Sequence, residues 1–326
     1  MAHPDGPMPR RVIRAEQSRQ ARARARRNVG SLQSQVVQPK TLKRYEQAVH
    51  AFLDFLIAHE LNYPRSNALL DTFVCQYIEE LWENGDPKGW AGDLLSGLGH
   101  LIPSCKGSLT GGWRLHAAWS RAELPVRALP FTSKIVYALA QQAFDRQWKD
   151  TGVLLLLGFH RYPRSGELFQ ARKADFTFDR NDHGVWSLPL TKSGQRIGAR
   201  ESLILDDSWI GGLVRAFLKP LKPGDTLTQV SPAVQRLRLK TLLADFNLVG
   251  NFRWYSCRRG GATHHFRCTN NMNLICHIGR WGCARTARIY LTDGLACLTD
   301  LSFPLSSERR LQRQALRARP DYETAV

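Results

Sequence analysis

Five residues of this 326-residue chain carry side chains suited to one kind of chemistry: Arg164, Lys192, Arg258, Trp281 and Tyr290. Arg164 opens Arg164-Ser165-Gly166-Glu167-Leu168 after an apolar run, and Lys192 begins Lys192-Ser193-Gly194. Arg258 heads Arg258-Arg259-Gly260-Gly261-Ala262-Thr263, while Trp281 closes Gly279-Arg280-Trp281, nine residues before Tyr290. Cleaving a phosphodiester requires a nucleophile, donors that neutralise charge growing on the non-bridging oxygens, and a proton for the departing 5′ oxygen. A phenol ordinarily ionises near pH ~10, so a neighbouring pair of arginines favours its nucleophilic phenolate form. Arginine suits the clamp better than lysine because its planar fork donates two parallel bonds to phosphate and stays charged. Two arginines, a lysine and a tyrosine therefore supply every part, and the set needs neither metal nor cofactor.

Such residues must be carried on a scaffold, and hydrophobic periodicity outlines it. Thr41 reads as the cap of a helix whose apolar positions Leu42, Tyr45, Val49, Phe52, Leu53 and Leu56 follow a 3.6-residue period. A second helix buries Leu70, Phe73, Val74, Tyr77, Ile78, Leu81 and Trp82 and stops at Asn84-Gly85. Residues 90–102, ended by Pro103, and residues 109–124 complete a small helical bundle. Residues 124–130, with Pro125 and Pro130, read as an extended linker. Beyond it, residues 134–144 and 151–159 are helical in pattern, and a third helix starts near Pro163. Residues 176–178, 185–190 and 202–205 read as three antiparallel strands, separated by turns at Asp182-His183-Gly184 and Lys192-Ser193-Gly194. Helices resume at Trp209, with Leu237, Leu239, Leu242, Leu243 and Phe246 on one apolar face. The Gly260-Gly261 pair costs helix propensity, which is tolerable where a helix passes close to its neighbours.

In order, spacing and local structure, these motifs together resemble the tyrosine recombinase (phage integrase-like) family, from about residue 32 to about residue 302. The resemblance implies a mainly α protein with a small antiparallel β-sheet: an N-terminal helical bundle, then an α+β DNA breaking-rejoining catalytic domain. The expected division is a disordered basic arm over residues 1–31, a core-binding-like bundle over 32–123 and a linker over 124–130. A catalytic domain over 131–302 and a C-terminal tail over 303–326 follow. By the same resemblance Arg164 and Arg258 would clamp the scissile phosphate, and Lys192 would be the general acid. Trp281 would orient the site, and Tyr290 would form a covalent 3′-phosphotyrosine. Tyr255 stands where most members have histidine, and a phenol cannot replace imidazole as a proton carrier near neutral pH. A DNA-binding protein that keeps the fold without turnover is therefore the competing expectation. The implied partner is duplex DNA, clamped between the two domains, with self-association to a tetramer for strand exchange.

Charge sharpens the picture. The chain holds 46 Lys and Arg against 28 Asp and Glu, a net +18, which calls for a polyanionic partner. Residues 1–30 hold eight arginines against Asp5 and Glu16, residues 31–125 come to −2, and residues 251–290 hold seven arginines and no acid. Arg259, Arg280 and Arg285 of that stretch, with Lys40, Lys43 and Arg44 of the bundle, are the expected DNA contacts. At 43% hydrophobic residues a wholly disordered chain is excluded, and no apolar run approaches a membrane span. Seven scattered cysteines without framework spacing, and no secretory segment, point to reduced thiols in an intracellular protein. That means the nucleus in a eukaryote and otherwise the cytoplasm with its DNA, organellar targeting by the Arg-rich arm being the alternative.

Bland readings compete residue by residue. Taken singly, Tyr290 is a half-buried packing residue, Arg164 a surface cation beside Glu167 and Asp175, and Lys192 a solvated loop lysine that Arg196 could replace. The Cys and His residues between 257 and 283 match no common zinc spacing and read as small core residues.

Overall fold

The computed structural model describes residues 18–28, 31–188, 191, 200–301 and 304–325. Lys192, the turn around it and Arg196 lie outside these residues, as does most of the basic arm. Among the described residues there are fifteen α-helices and one three-stranded antiparallel sheet, in two compact units, Met1–Val126 and Arg127–Val326. The chain is thus mainly α with a small antiparallel sheet.

The first unit begins with α1 (Arg19–Arg27), where Ser18 Oγ accepts from Ala21 N at 3.1 Å and three arginines occupy the last turn. An arm rich in Arg and Ala buries nothing here yet forms a helix, because helix propensity and terminal charge need no core. Next comes α2 (Pro39–Ala58), starting two residues ahead of the expected Thr41 cap. Pro39 takes its first turn, where a missing N–H leaves nothing unpaired. Helices α3 (Asn67–Glu83), α4 (Gly89–Leu101) and α5 (Thr110–Ala122) follow, α2 packing on α4 and α3 on α5. Asp71 of α3 accepts from the Gly111 and Gly112 N–H groups at 2.8 and 3.0 Å, satisfying first-turn donors of α5 that have no partner within their own helix. Phe52, Leu56, Val74, Ile78, Leu94 and Leu98 form the core.

In the second unit α6 (Ser133–Asp145) lies against α7 (Lys149–His160), which is buried from Asp150 onward, as its unbroken apolar run requires. Helix α8 (Ser165–Gln170) starts two residues later than Pro163. Strands β1 (Phe176–Phe178), β2 (Gly184–Leu188) and β3 (Glu201–Leu205) pair in that order, with Phe176 opposite Trp186 and Trp186 opposite Leu203. Trp186, Leu188, Leu203 and Leu205 turn inward while Val185 and Ile204 face solvent, the period-two alternation of a half-buried sheet. Helix α9 (Ser208–Leu218) is capped by Asp207, and α10 (Pro232–Asp245) buries Leu239, Leu242 and Leu243, with Phe246 following. Leu237, expected on that face, is 63% exposed. Two residues from Leu239 is more than half a helical turn, which carries it to the opposite side.

The remaining helices are α11 (Tyr255–Thr269), α12 (Met272–Gly279), α13 (Ala284–Arg288), α14 (Asp293–Leu301) and α15 (Leu305–Ala318). Helix α15 packs on α6, and Leu311, Ala315, Tyr322 and Ala325 enter the main core. The segment expected as a tail is therefore part of this unit's body. Helix α11 threads between backbones: a Cβ on Gly260 would stand 1.8 Å from the Phe131 carbonyl oxygen, and one on Gly261 would stand 1.8 Å from that of Phe159. Only glycine permits that approach.

Candidate functional site

Close passage of α11 past α7 determines where Arg258 goes. Its guanidinium is buried, at 1% exposure, and one terminal nitrogen donates to the Tyr162 carbonyl while the other donates to the Gly279 carbonyl at 2.8 Å. Tyr162 holds a positive φ of 30°, an unusual conformation for an aromatic residue, and it presents that carbonyl to Arg258. The Arg258 Nε has no hydrogen-bond partner, and no carboxylate pairs with the group, among the described residues. Burial, with the nearby charge of Arg164, lowers its pKa to about 10, so it remains a cation at neutral pH. Arg259 is also buried, its Nε likewise unpartnered among the described residues, and its pKa is lowered by burial and by Arg127.

Over this cation lies an aromatic stack. The Arg258 guanidinium carbon is 4.7 Å from the Trp281 ring centre and 5.3 Å from that of Tyr290, and the two rings are 4.5 Å apart. Tyr162 stacks on the Trp281 ring at 5.9 Å with 12° between planes. Together with Ala262, Ile275 and Ala287, these rings form a small cluster separate from the main core. Tyr290 follows α13 and is tied down by its backbone: its N–H donates to the Ala287 carbonyl at 2.8 Å, and its carbonyl accepts from Thr263 Oγ1 at 3.3 Å. Tyr255, the first residue of α11, packs beside it with ring centres 5.9 Å apart. Burial pushes the Tyr290 phenol up, but the Tyr255 hydroxyl, the Arg258 charge, and contacts to Trp281 and Arg258 outweigh it, and the phenol sits below its ordinary value. Tyr255 moves the other way, pushed up to about 12 by burial and by the neighbouring Tyr290 phenol.

Carboxylates gather at the neighbouring edge. Arg164 precedes α8; its N–H donates to Glu167 Oε2 and its guanidinium to Glu167 Oε1, both at 2.8 Å. Glu167 also accepts from Arg280 at 2.5 Å, and Arg280 donates to Glu201 at 3.2 Å. Burial pushes the Glu167 carboxyl up, yet Arg280 and Arg164 together hold it below the usual range. Arg280, expected to meet DNA, is instead a brace linking α12 to α8 and β3, its side chain 8% exposed. Acid-free sequence around it did not leave it unpaired, since both acids arrive from distant segments.

Four of the five residues singled out by spacing, Arg164, Arg258, Trp281 and Tyr290, come together here with Tyr255. Of the expected DNA contacts, Arg285 on α13 and Lys40 and Lys43 on α2 are solvent-exposed. Arg44 is exposed but bonded to Asp93 at 2.9 Å, and Arg259 is buried. Tyr162, Thr263 and the Gly279 carbonyl were not foreseen. Their parts are played by backbone atoms or by a conformation that no residue type announces, though Tyr162 directly before Pro163 marks a restricted backbone. Among the described residues no three His, Cys, Asp or Glu side chains cluster to hold a metal. His264 and Cys268 do adjoin, Sγ to Nε2 3.8 Å, but His264 Nε2 also lies 2.9 Å from the Ala325 carbonyl.

No family model and no curated protein matches the chain. Among solved structures it is similar to the XerH site-specific recombinase bound to difH substrate in a pre-cleavage complex. That match has 14% identity and a TM-score of 0.42, over 69% of this chain and 74% of that one. It is also similar to the XerA recombinase, at 12% identity and a TM-score of 0.41, over 84% of this chain and 98% of that one.

Proposed function

We propose that the second unit cleaves and rejoins DNA in the manner of a tyrosine recombinase. The Tyr290 oxygen attacks the scissile phosphorus, an O–P bond forms to give a 3′-phosphotyrosine, and the bond from phosphorus to the 5′ oxygen breaks. Arg258 and Arg164 offset the charge on the non-bridging oxygens. Lys192, on the connection between β2 and β3, gives a proton to the leaving 5′ oxygen. Attack by a 5′ hydroxyl on the phosphotyrosine reverses the step, so rejoining needs no nucleotide cofactor. Exchange between two duplexes requires protomers on paired sites, four in all. Lys40, Lys43 and Arg285 contribute phosphate contacts, and the protein works in the compartment that holds its DNA.

One observation carries this reading: a buried Arg258 with an unpartnered Nε and no carboxylate among the described residues, beneath the ring of a tyrosine whose phenol is held down. A buried charged donor without its partner costs about 1–3 kcal/mol or more, and a phosphate group is the partner that satisfies it. The test uses a library of nicked duplexes carrying bridging 5′ phosphorothiolates, which trap the covalent complex. The native chain accumulates a protein–DNA adduct and Tyr290→Phe gives none; equal trapping by that variant overturns the proposal.

Tyr255 favours a second reading, a DNA-binding protein that keeps this fold without turnover. It holds if the chain binds duplex DNA with steep salt dependence yet gives no adduct, even as Tyr255→His.

A further inference from the structure

Residues at the start of α11 place a second phenol against the candidate nucleophile. Tyr255 lies three and four residues ahead of Arg258 and Arg259, on the same side of the helix, and its ring packs on Tyr290 at 5.9 Å and 53°. We infer that Tyr255 is the hydrogen-bond donor that holds the Tyr290 phenolate, so that the two phenols act as one proton-sharing pair. This deepens the recombinase reading and rests on it for its catalytic meaning.

Among the described residues, the charged groups that act most strongly on the pair are cationic. Arg258 and Arg259 come from α11 itself, and Arg164, Arg280 and Arg127 act on those two from the head of α8, the end of α12 and the start of the unit. Glu167 is engaged by Arg164 and Arg280. A cationic surround favours one negative charge on the pair, and burial decides which oxygen keeps the proton. Tyr255, pushed up to about 12, holds it, whereas Tyr290, held low by the Tyr255 hydroxyl and by Arg258, gives its proton up. Imidazole at position 255 could shuttle a proton; a phenol this basic can only donate a hydrogen bond through the neutral range. The Tyr290 proton then leaves to water, which is accessible because Tyr290 is only half-buried.

The experiment compares the full-length chain with Tyr255→Phe and Tyr290→Phe, substitutions that keep both rings. Ring-labelled tyrosine NMR follows each phenol through its titration in the DNA-free protein. In Tyr255→Phe the Tyr290 midpoint moves to higher pH. In Tyr290→Phe the Tyr255 midpoint moves to lower pH, because the neighbouring negative charge is gone. With the nicked duplex library, Tyr255→Phe slows adduct formation about tenfold or more below the Tyr290 midpoint and converges on the native rate above it. An unmoved Tyr290 midpoint in Tyr255→Phe overturns the pair, as does a rate loss equal at every pH, which is what a packing residue would give. If the midpoints move as stated and no duplex yields an adduct, the paired phenols stand and the recombinase reading falls.

Discussion

The two units bury different things. Among the described residues, the helical bundle of the first unit buries apolar side chains alone, whereas the second buries Asp150, His160, Arg161, Arg258, Arg259 and His265 as well. Taking a charge out of water is costly, and the usual compensation is a partner. Asp150 has Arg238 and Gln235, each at 2.8 Å, Arg161 has Asp206, and His160 has the Tyr137 hydroxyl at 2.7 Å. Arg258 and Arg259 have no ion pair among the described residues. A bundle assembled by packing needs nothing further to be complete. The second unit holds two cations with no ion pair among the described residues, a sharper localisation of unpaired charge than the total of +18.

The largest effect that separates the units should come from Gly261→Ala. The new Cβ would stand 1.8 Å from the Phe159 carbonyl oxygen, a backbone atom that cannot swing aside. Relief requires α11 and α7 to part, which we expect to cost more than about 4 kcal/mol. Hydrogen exchange should show α6, α7 and α11 losing protection while α2 to α5 keep theirs; unaltered protection across the second unit would mean that the helices are not in this register.

How far the sequence alone led differs between the two units in the same way. Local periodicity marked α2 to α7 and the three strands closely, because each buries a stripe or an alternating face that its own residues spell out. Leu237 shows the limit: an apolar residue off the stripe was counted with it. At the site, residue types and spacing named Arg164, Arg258, Trp281 and Tyr290 as a set. What they could not show is how the surrounding cations are divided. Glu167 and Arg280 are 113 residues apart, and no local pattern says that this arginine is neutralised while Arg258 has no carboxylate among the described residues. Helix α1 and the docking of α15 were missed for a related reason, since composition weighs burial on average and not where a particular helix finds a surface.

Acid should separate the units next. Burial lowers the pKa of His265 to about 4 and holds that of His160 well below its ordinary value. Below the unfolded value of about 6.5, the unfolded chain binds protons that the folded one refuses. Stability is therefore fully present above about pH 6.5 and falls as pH drops toward 4, by something on the order of 2 kcal/mol for His265. In the bundle His116 is lowered too, though it is less buried. Exchange protection measured from neutral pH to pH ~4.5 should fall first in α7 and α11; earlier loss in the bundle would reverse the assignment.

The smallest effect on folding should accompany one of the largest on chemistry, and it follows from the contrast between Arg258 and Arg280. Arg280→Met leaves Glu201 mostly buried without its cation and leaves Glu167 with Arg164 alone, and breaking such a pair from one side costs up to about 3–5 kcal/mol. Arg258→Met removes a buried charge that has no carboxylate among the described residues, which stabilises, and deprives the Tyr162 and Gly279 carbonyls of donors, which destabilises. The linear side chain still fills the space under Trp281. With the two changes opposed, denaturant unfolding of Arg258→Met should stay within about 1 kcal/mol of the native chain, while adduct formation with the nicked duplexes is lost. If Arg258→Met proves as destabilising as Arg280→Met, Arg258 is a structural brace like its neighbour, and its unpartnered Nε says nothing about phosphate.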